Sequence, residues 1–234
     1  MAAGGCTVVL VHGAWHGSWC WAALIEQLEG LGFPSATVDL PSIDRGGALG
    51  DLHDDAGAVR QAVDAIEGPV VVVAHSYGGA PVTEGLVGAV NVAHLVYVSA
   101  FLLDEGESIL GAVGGVEPLW WRISADGQTL EPDHPEHVFF ADCPPDTVAA
   151  AAASLRPQSR AAFTQTLRGA AWRDIPSTYV VCEQDNAIPA FAQEAMAQRA
   201  GTVQRLSSGH SPFLSQPDEL AKIVRQTVET SAAS

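Results

Sequence analysis

The most informative stretch of this sequence is Val70-Val71-Val72-Val73-Ala74-His75-Ser76-Tyr77-Gly78-Gly79. Its β-branched run predicts a buried strand, and the segment 80–83 behind the glycines can begin a helix. Ser76 therefore stands at a strand-to-helix corner, the setting of a nucleophile elbow. Ala74 and Gly78, two residues before and after the serine, are small enough to allow a sharp turn. The alternative is an ordinary glycine-rich turn with an incidental serine.

Composition limits the possible partners of this chain. The 234 residues are 47% hydrophobic and 16% charged, which suits one domain with a sizeable core. Asp and Glu number 27 against 11 Lys and Arg, so a formal charge of −16 disfavours nucleic acid and acidic membranes as partners. No apolar run reaches the roughly 18 residues of a membrane span, and residues 1–5 do not resemble a secretion signal.

The cysteines bear on the cellular compartment. They follow no CxxC pattern and are typical of unpaired thiols in a cytoplasmic protein, although sequence alone leaves a disulfide open. They are Cys6, Cys20, Cys143 and Cys182.

Strand and helix patterns alternate along most of the chain. This alternation predicts an α/β fold, in which helices cover both faces of a mainly parallel sheet of about six strands. Strands are expected at 6–11, 35–41, 70–75, 94–100, 177–182 and 202–206. Helices are expected at 19–30, 51–67, 80–89, 189–199 and 217–230.

The alternation breaks between residues 103 and 172. This segment is rich in Gly, Pro and Ala, and we expect several short helices in it but no convincing strand. It divides the chain into a core at 1–102 and 173–234 and a small helical cap insertion at 103–172. Its acidic and histidine residues near 133–142 are irregularly placed, which favours a solvated surface over a metal site. We therefore expect neither a metal nor a cofactor.

Two further residues follow predicted strands. Asp185 comes just after the strand 177–182, and His210 just after 202–206. Carboxyl ends of parallel strands form the ligand-binding edge of an open sheet, and the order Ser76, Asp185, His210 is that of an α/β-hydrolase triad. His210 would accept the serine proton, and Asp185 would hold the imidazole. Asp104 is the alternative acid.

The loop after the first strand completes the predicted site. Its Ala14 N–H, together with the N–H of Tyr77, is expected to form the oxyanion hole. We further expect an apolar pocket between the sheet edge and the cap, with core packing as the alternative role of each aromatic residue. The expected lining is Gly13, Trp15, Trp120, Trp121 and Phe213.

Four motifs together resemble the α/β-hydrolase branch that contains plant methylesterases, hydroxynitrile lyases and bacterial EstC-like esterases. They are His12-Gly13-Ala14-Trp15-His16-Gly17-Ser18-Trp19-Cys20-Trp21, Ala74-His75-Ser76-Tyr77-Gly78-Gly79, Cys182-Glu183-Gln184-Asp185-Asn186-Ala187-Ile188-Pro189 and Gly209-His210-Ser211-Pro212-Phe213-Leu214-Ser215-Gln216-Pro217. The resemblance covers nearly all of the chain outside 103–172. It implies an α/β-hydrolase fold with a cap domain in that segment.

Two positions distinguish the activities of this branch. Its lyases resemble one another in having threonine where this chain has Gly13 and lysine where it has Ser211. A cyanide leaving group needs a nearby cation, and that loop offers no lysine. The resemblance thus implies hydrolysis of small hydrophobic or aromatic carboxylic esters through an acyl-enzyme. A lyase or cyclase using His210 as base, or a small-molecule binding protein, remains an alternative. The expected partner is a small-molecule ester, and the chain is expected to be a monomer or homodimer.

Overall fold

The computed structural model describes residues 5–232. Residues 1–4, on which the expectation about a secretion signal mainly depends, lie outside this range. Strands and helices alternate in the first part of the chain, as the sequence predicts. They are β1 (Thr7–Val11), α1 (Ala22–Gly30), β2 (Ser35–Val38), α2 (Leu52–Asp64), β3 (Val70–His75), α3 (Gly79–Gly85) and β4 (Val92–Val98).

The segment 103–172 contains strands as well as short helices. Its elements are α4 (Ile109–Ala112), β5 (Trp121–Ile123), β6 (Thr129–Pro132), α5 (Pro135–Phe139), α6 (Pro145–Ser154), β7 (Gln158–Ser159) and α7 (Ala161–Thr164). The strands form an antiparallel sheet in the order β5-β6-β7. The expectation of no strand here was wrong, because strands of two to four residues are too short to show an alternating pattern.

The last part of the chain completes the main sheet. It consists of β8 (Ser177–Cys182), α8 (Ala190–Ala197), β9 (Thr202–Leu206), α9 (Pro212–Ser215) and α10 (Pro217–Ser231). Six parallel strands lie in the order β2-β1-β3-β4-β8-β9, which confirms the predicted fold class. The chain runs from β1 outward to β2 and returns to β3 on the other side. The carboxyl ends of β1 and β3 therefore flank the point where ligands bind in such sheets.

Side chains of the central strands pack into two hydrophobic cores, one on each face of the sheet. Val71 and Val73 face α1 and α10, whereas Val70 and Val72 face α2, α3 and the segment 103–172. All six residues of β3 are buried. Burial of one valine side chain contributes roughly 1.5–3 kcal/mol to folding stability, so β3 holds the residues that follow it in a fixed position. None of the helices within residues 5–232 has both the length and the apolarity needed to cross a bilayer.

Helix α2 begins at a capping box. Asp51 Oδ1 accepts hydrogen bonds from the N–H groups of His53 and Asp54, and Asp54 Oδ2 accepts one from the N–H of Asp51. These bonds satisfy backbone donors that the first helical turn leaves free. The cap fixes where α2 begins, and Asp55 lies on the buried face of the helix.

Candidate active site

Ser76 occupies a strained corner at the end of β3. Its φ is 52°, in the left-handed region that residues other than glycine rarely adopt. A Cβ added to Gly78 would lie 2.5 Å from the carbonyl oxygen of His12, and one added to Gly79 would lie 2.6 Å from that of Phe101. Only glycine fits these positions without a shift of backbone. The corner is therefore clamped between the ends of β1 and β4.

Asp185 and His210 are brought together at the same edge of the sheet. His210 Nδ1 lies 2.7 Å from Asp185 Oδ2, and both side chains are buried. Asp185 Oδ1 accepts backbone hydrogen bonds from Ala187 at 2.7 Å and Ile188 at 2.9 Å. An ionised carboxylate can only accept, so Nδ1 carries the imidazole proton and Nε2 keeps its lone pair. This is the tautomer that a base facing a serine hydroxyl requires.

Two residues that the sequence reasoning missed also hold Asp185. Ser99, directly after β4, has a φ of 40° and donates its hydroxyl proton to Asp185 Oδ2. Gln193 on α8 donates to the same oxygen at 3.1 Å and also bonds the backbone N–H and C=O of Cys182. A small polar residue at the end of a central strand was a usable signal for Ser99. No local pattern distinguishes Gln193 from other helical glutamines.

Asp104, the alternative acid, is engaged elsewhere. Its carboxylate forms an ion pair of 2.6 Å with Arg173 and accepts the N–H of Glu105 at 2.8 Å. Among the carboxylates of residues 5–232, Asp185 is the one hydrogen-bonded to His210.

Three more histidines are buried in the loop after β1 and at the end of β3. Burial lowers the pKa of His12 to about 4 and that of His16 to about 3, and it moves the pKa of His75 well below its usual range. They are therefore neutral at pH 7. His75 Nε2 donates to the backbone carbonyl of His210 at 2.9 Å and so helps to hold the loop after β9. In the described part of the chain, no three His, Cys, Asp or Glu residues are grouped to hold a metal ion.

The loop after β1 packs directly against the elbow. A Cβ on Gly13 would lie 2.7 Å from His75 Nδ1 and 2.8 Å from Ser76 Cβ. Trp15 in the same loop has a φ of 63°. Because β1 pairs with β3, the segments that carry Ala14 and Tyr77 lie side by side at the strand ends.

Three of the predicted pocket residues lie together. Trp15, Trp120 and Trp121 form an aromatic cluster with Phe139 and Phe163, with ring centroids 4.8–6.2 Å apart. This aromatic cluster reaches the site through Phe139, whose ring centroid lies 5.5 Å from that of His210.

The structure corrects the expected place of Phe213. Its side chain is fully buried and packs on Trp21 and His75, with centroids 4.6 and 4.7 Å apart. Phe213, on α9, belongs to the core that faces α1 and α10.

A cavity of about 910 Å³, here called the apolar groove, lies between α4 and α8. Its charged lining residues, Glu107 and Arg199, pair with each other at 2.6 and 2.7 Å. Its apolar lining includes Phe101, Leu103, Val113, Ile188, Phe191 and Met196. None of the five predicted pocket residues lines this groove.

None of Ser76, Asp185 and His210 lines the apolar groove, but the backbone of two of its lining residues is bonded to residues of the candidate site. The N–H of Phe101 donates to the carbonyl oxygen of Ser76 at 3.0 Å, and the N–H of Ile188 donates to Asp185 Oδ1 at 2.9 Å. The Asp185 loop was the sequence signal that could have identified Ile188. The contributions of α4 and α8 come only from tertiary packing.

Comparisons with known proteins agree with this architecture. The protein named alpha/beta hydrolase nvfD from Aspergillus novofumigatus is 28% identical over 236 residues, which cover 93% of this chain and 94% of that protein. The pFDCC methylesterase MES16 of Arabidopsis thaliana is 25% identical over 91% of this chain and 90% of its own. A pyrethroid hydrolase from Sphingobium faniae has the same fold, with a TM-score of 0.83 at 24% identity over 98% of this chain and 100% of its own. Residues 8–223 match the profile of the alpha/beta hydrolase family, and the chain belongs to that family.

Proposed function

We propose that this protein hydrolyses carboxylic esters of small hydrophobic or aromatic compounds, with Ser76, His210 and Asp185 as its catalytic triad. The observation that carries the proposal is the 2.7 Å contact between His210 and Asp185 at the sheet edge where Ser76 occupies a strained corner. The similarity to a plant methylesterase over 91% of the chain supports an ester as the substrate.

In the first half of the reaction, Ser76 Oγ attacks the ester carbonyl carbon. His210 Nε2 takes the serine proton, and Asp185 stabilises the resulting imidazolium. The carbonyl oxygen becomes an oxyanion, which the N–H groups of Ala14 and Tyr77 bind. The tetrahedral intermediate then collapses to an acyl-serine, and the leaving alcohol takes the proton from His210.

The second half releases the acid. His210 removes a proton from water as the water oxygen attacks the acyl-serine, and the same two N–H groups bind the new oxyanion. When this intermediate collapses, the proton on His210 returns to Ser76 Oγ. Ester, water and the triad supply every atom and proton of the cycle, so the reaction requires no cofactor.

The apolar groove supports the proposed substrate class. Phe101 and Ile188 line it and also hydrogen-bond to the residues of the proposed triad. An alkyl or aromatic part of the ester would lie in the groove, because its lining is mostly apolar and its two charged residues neutralise each other. We take residues 103–172 as a cap over the core of 1–102 and 173–234, since α4 forms one wall of the groove.

The compartment and the assembly remain part of the proposal. The four cysteines are unpaired thiols. They support the cytoplasmic location expected from the sequence, because disulfides form mainly in oxidising compartments. The expectation of a monomer or homodimer stays a prediction.

The test compares the wild type with Ser76→Ala on p-nitrophenyl esters of increasing acyl length and on aromatic methyl esters. We expect turnover by the wild type and a loss on the order of 10⁶ in the variant, as for other triads. A fluorophosphonate should label the wild type at Ser76. Substrate conversion that survives Ser76→Ala would instead indicate a lyase or cyclase, and tight ligand binding without turnover would indicate a binding protein.

A further inference from the structure

The buried carboxylate of Asp55 lies against Tyr77, the residue that follows the proposed nucleophile Ser76. The hydroxyl of Tyr77 donates to Asp55 Oδ2 at 2.7 Å, and neither side chain is exposed. Within residues 5–232 no cationic side chain forms an ion pair with Asp55. Its other partner is Ser42, whose N–H donates to Oδ1 at 2.8 Å and whose hydroxyl donates to Oδ2 at 2.5 Å.

The hydrogen bonds continue from Ser42 into the segment 103–172. Gln158 on β7 donates through Nε2 to Ser42 Oγ at 2.8 Å, and its Oε1 accepts the backbone N–H of Trp15 at 3.1 Å. Ser42 and Gln158 are both fully buried. We call the side chains of Tyr77, Asp55, Ser42 and Gln158 the polar relay.

The donors and acceptors of the polar relay match throughout. The Ser42 hydroxyl gives its one proton to Asp55 and accepts from the Gln158 amide, whose oxygen accepts from Trp15. Burial raises the pKa of Asp55 to about 6, because keeping the ionised carboxylate in the protein interior costs free energy. A fully satisfied buried network of this kind fixes the relative position of the segments that it joins.

Both ends of the polar relay lie at strained backbone beside the proposed oxyanion hole. Tyr77 follows Ser76, with its φ of 52°, and Trp15, with its φ of 63°, follows Ala14. The segment 103–172 holds Trp15 at two more points. The Trp15 carbonyl accepts the N–H of Arg156 at 2.9 Å, and Trp15 Nε1 donates to the carbonyl of Leu130 at 2.8 Å.

We propose that the polar relay positions the N–H groups of Ala14 and Tyr77 relative to each other, so that both point at one oxyanion. Its members are positioning residues, because they act through the two backbone segments rather than on the substrate. Through Gln158, the segment 103–172 takes part in forming the oxyanion hole. This inference rests on the proposed function.

The test uses two variants that cut the polar relay at opposite ends. Tyr77→Phe removes one hydroxyl and keeps the ring, and Gln158→Met keeps the side-chain length but removes both hydrogen bonds. We expect kcat for p-nitrophenyl acetate to fall 10- to 100-fold in each, with KM within about twofold. When an oxyanion donor is displaced, binding of the transition state weakens more than binding of the ester in its ground state.

Tyr97→Phe is the matched control. Tyr97 is equally buried, and its hydroxyl forms one hydrogen bond of 2.9 Å with Thr83, outside the polar relay. This variant should retain kcat within about twofold. Circular dichroism and thermal unfolding will show whether all three variants are folded.

A transition-state analogue separates positioning from general loss of structure. A trifluoromethyl ketone adds to Ser76 and places an oxyanion in the hole, so its inhibition constant should rise by the same factor by which kcat/KM falls. In the double variant, the two effects should combine to much less than their product, because either change alone breaks the same chain of bonds.

The outcomes separate this inference from the proposed function. An active wild type whose Tyr77→Phe and Gln158→Met variants both behave like Tyr97→Phe overturns the polar relay and leaves ester hydrolysis standing. If Tyr77→Phe does not fold, the Gln158→Met result alone decides. A wild type that neither hydrolyses esters nor reacts with a fluorophosphonate contradicts the proposed function, and with it the oxyanion hole that the relay would position.

Discussion

At the scale of single residues, Gly13 shows how closely the loop after β1 approaches Ser76, the proposed nucleophile. In Gly13→Ala, the new Cβ would meet the His75 ring at 2.7 Å and Ser76 Cβ at 2.8 Å. The loop and Ser76 must separate to relieve this contact, and displacements of about 1 Å can cost 10²-fold in rate. We expect kcat/KM for p-nitrophenyl acetate to fall about 100-fold.

Gly57→Ala is the control for this substitution. Gly57 is exposed on α2, and a Cβ there would have no atom within 4 Å. The variant should keep full activity and gain up to about 1 kcal/mol in unfolding free energy, because alanine favours helix more than glycine does. Equal activity of the two alanine variants would show that the loop does not constrain Ser76.

Asp185→Asn tests the acid of the proposed triad. The asparagine oxygen can keep the hydrogen bonds from Ala187 and Ile188, so the fold should persist. Its amide would donate to His210 Nδ1 and impose the wrong tautomer, which in comparable triads lowers kcat about 10⁴-fold. Steady-state kinetics with p-nitrophenyl acetate measures this effect.

Asp104→Asn is the matched control for that variant. It disrupts an ion pair of 2.6 Å with Arg173, which is half exposed, and should leave kcat within about twofold. The opposite result, with activity lost in Asp104→Asn and retained in Asp185→Asn, would transfer the role of acid to Asp104.

At the scale of elements, α4 and α8 enclose the apolar groove in which we place the hydrophobic part of the substrate. Ala195 lines this groove from α8 and is exposed. Ala195→Trp should obstruct part of it and lower kcat/KM for p-nitrophenyl octanoate about tenfold relative to the acetate. Ala22→Trp, at an exposed position of α1, should leave the ratio unchanged. An unchanged ratio in Ala195→Trp would place the acyl chain elsewhere.

The elements also show what the sequence can and cannot predict. Strands β8 and β9 have the predicted limits, 177–182 and 202–206, because each is a short local run containing Thr and Val between turns. The positions of Ser76, Asp185 and His210 at strand ends could be predicted for the same local reason. The roles of the groove and the polar relay could not, because Gln158 contacts Ser42 across 116 residues of sequence.

At the scale of the whole molecule, the buried histidines predict a loss of stability in mild acid. The pKa of His12, His16 and His75 is held below the ordinary 6.5, mainly by burial, so the unfolded chain binds protons first as the pH falls. As the pH falls from 7 to 5.5, each histidine therefore lowers the unfolding free energy by about 1.3 kcal/mol. Asp55 acts in the opposite direction. Its pKa is raised to about 6, so the folded protein binds this proton before the unfolded chain does, which raises the unfolding free energy by about 0.8 kcal/mol over the same range.

Together, these three histidines and Asp55 should lower the unfolding free energy by about 3 kcal/mol from pH 7 to 5.5, as measured by urea denaturation. His12→Gln should reduce this loss by about 1.3 kcal/mol, because it removes one of the three groups. His134→Gln should leave it unchanged, since the His134 side chain is 81% exposed. A protein equally stable at both pH values would show that these histidines are not held neutral.

The bonds from the segment 103–172 to Trp15 have a consequence for protein engineering. A segment inserted between two strands of a sheet resembles an exchangeable module, which could be replaced to change substrate range. Here Gln158 and Arg156 both bind the backbone of Trp15. A chimera that receives a foreign segment without an equivalent glutamine should therefore fold yet hydrolyse every ester slowly, and reinstating that one side chain should be the first step in its repair.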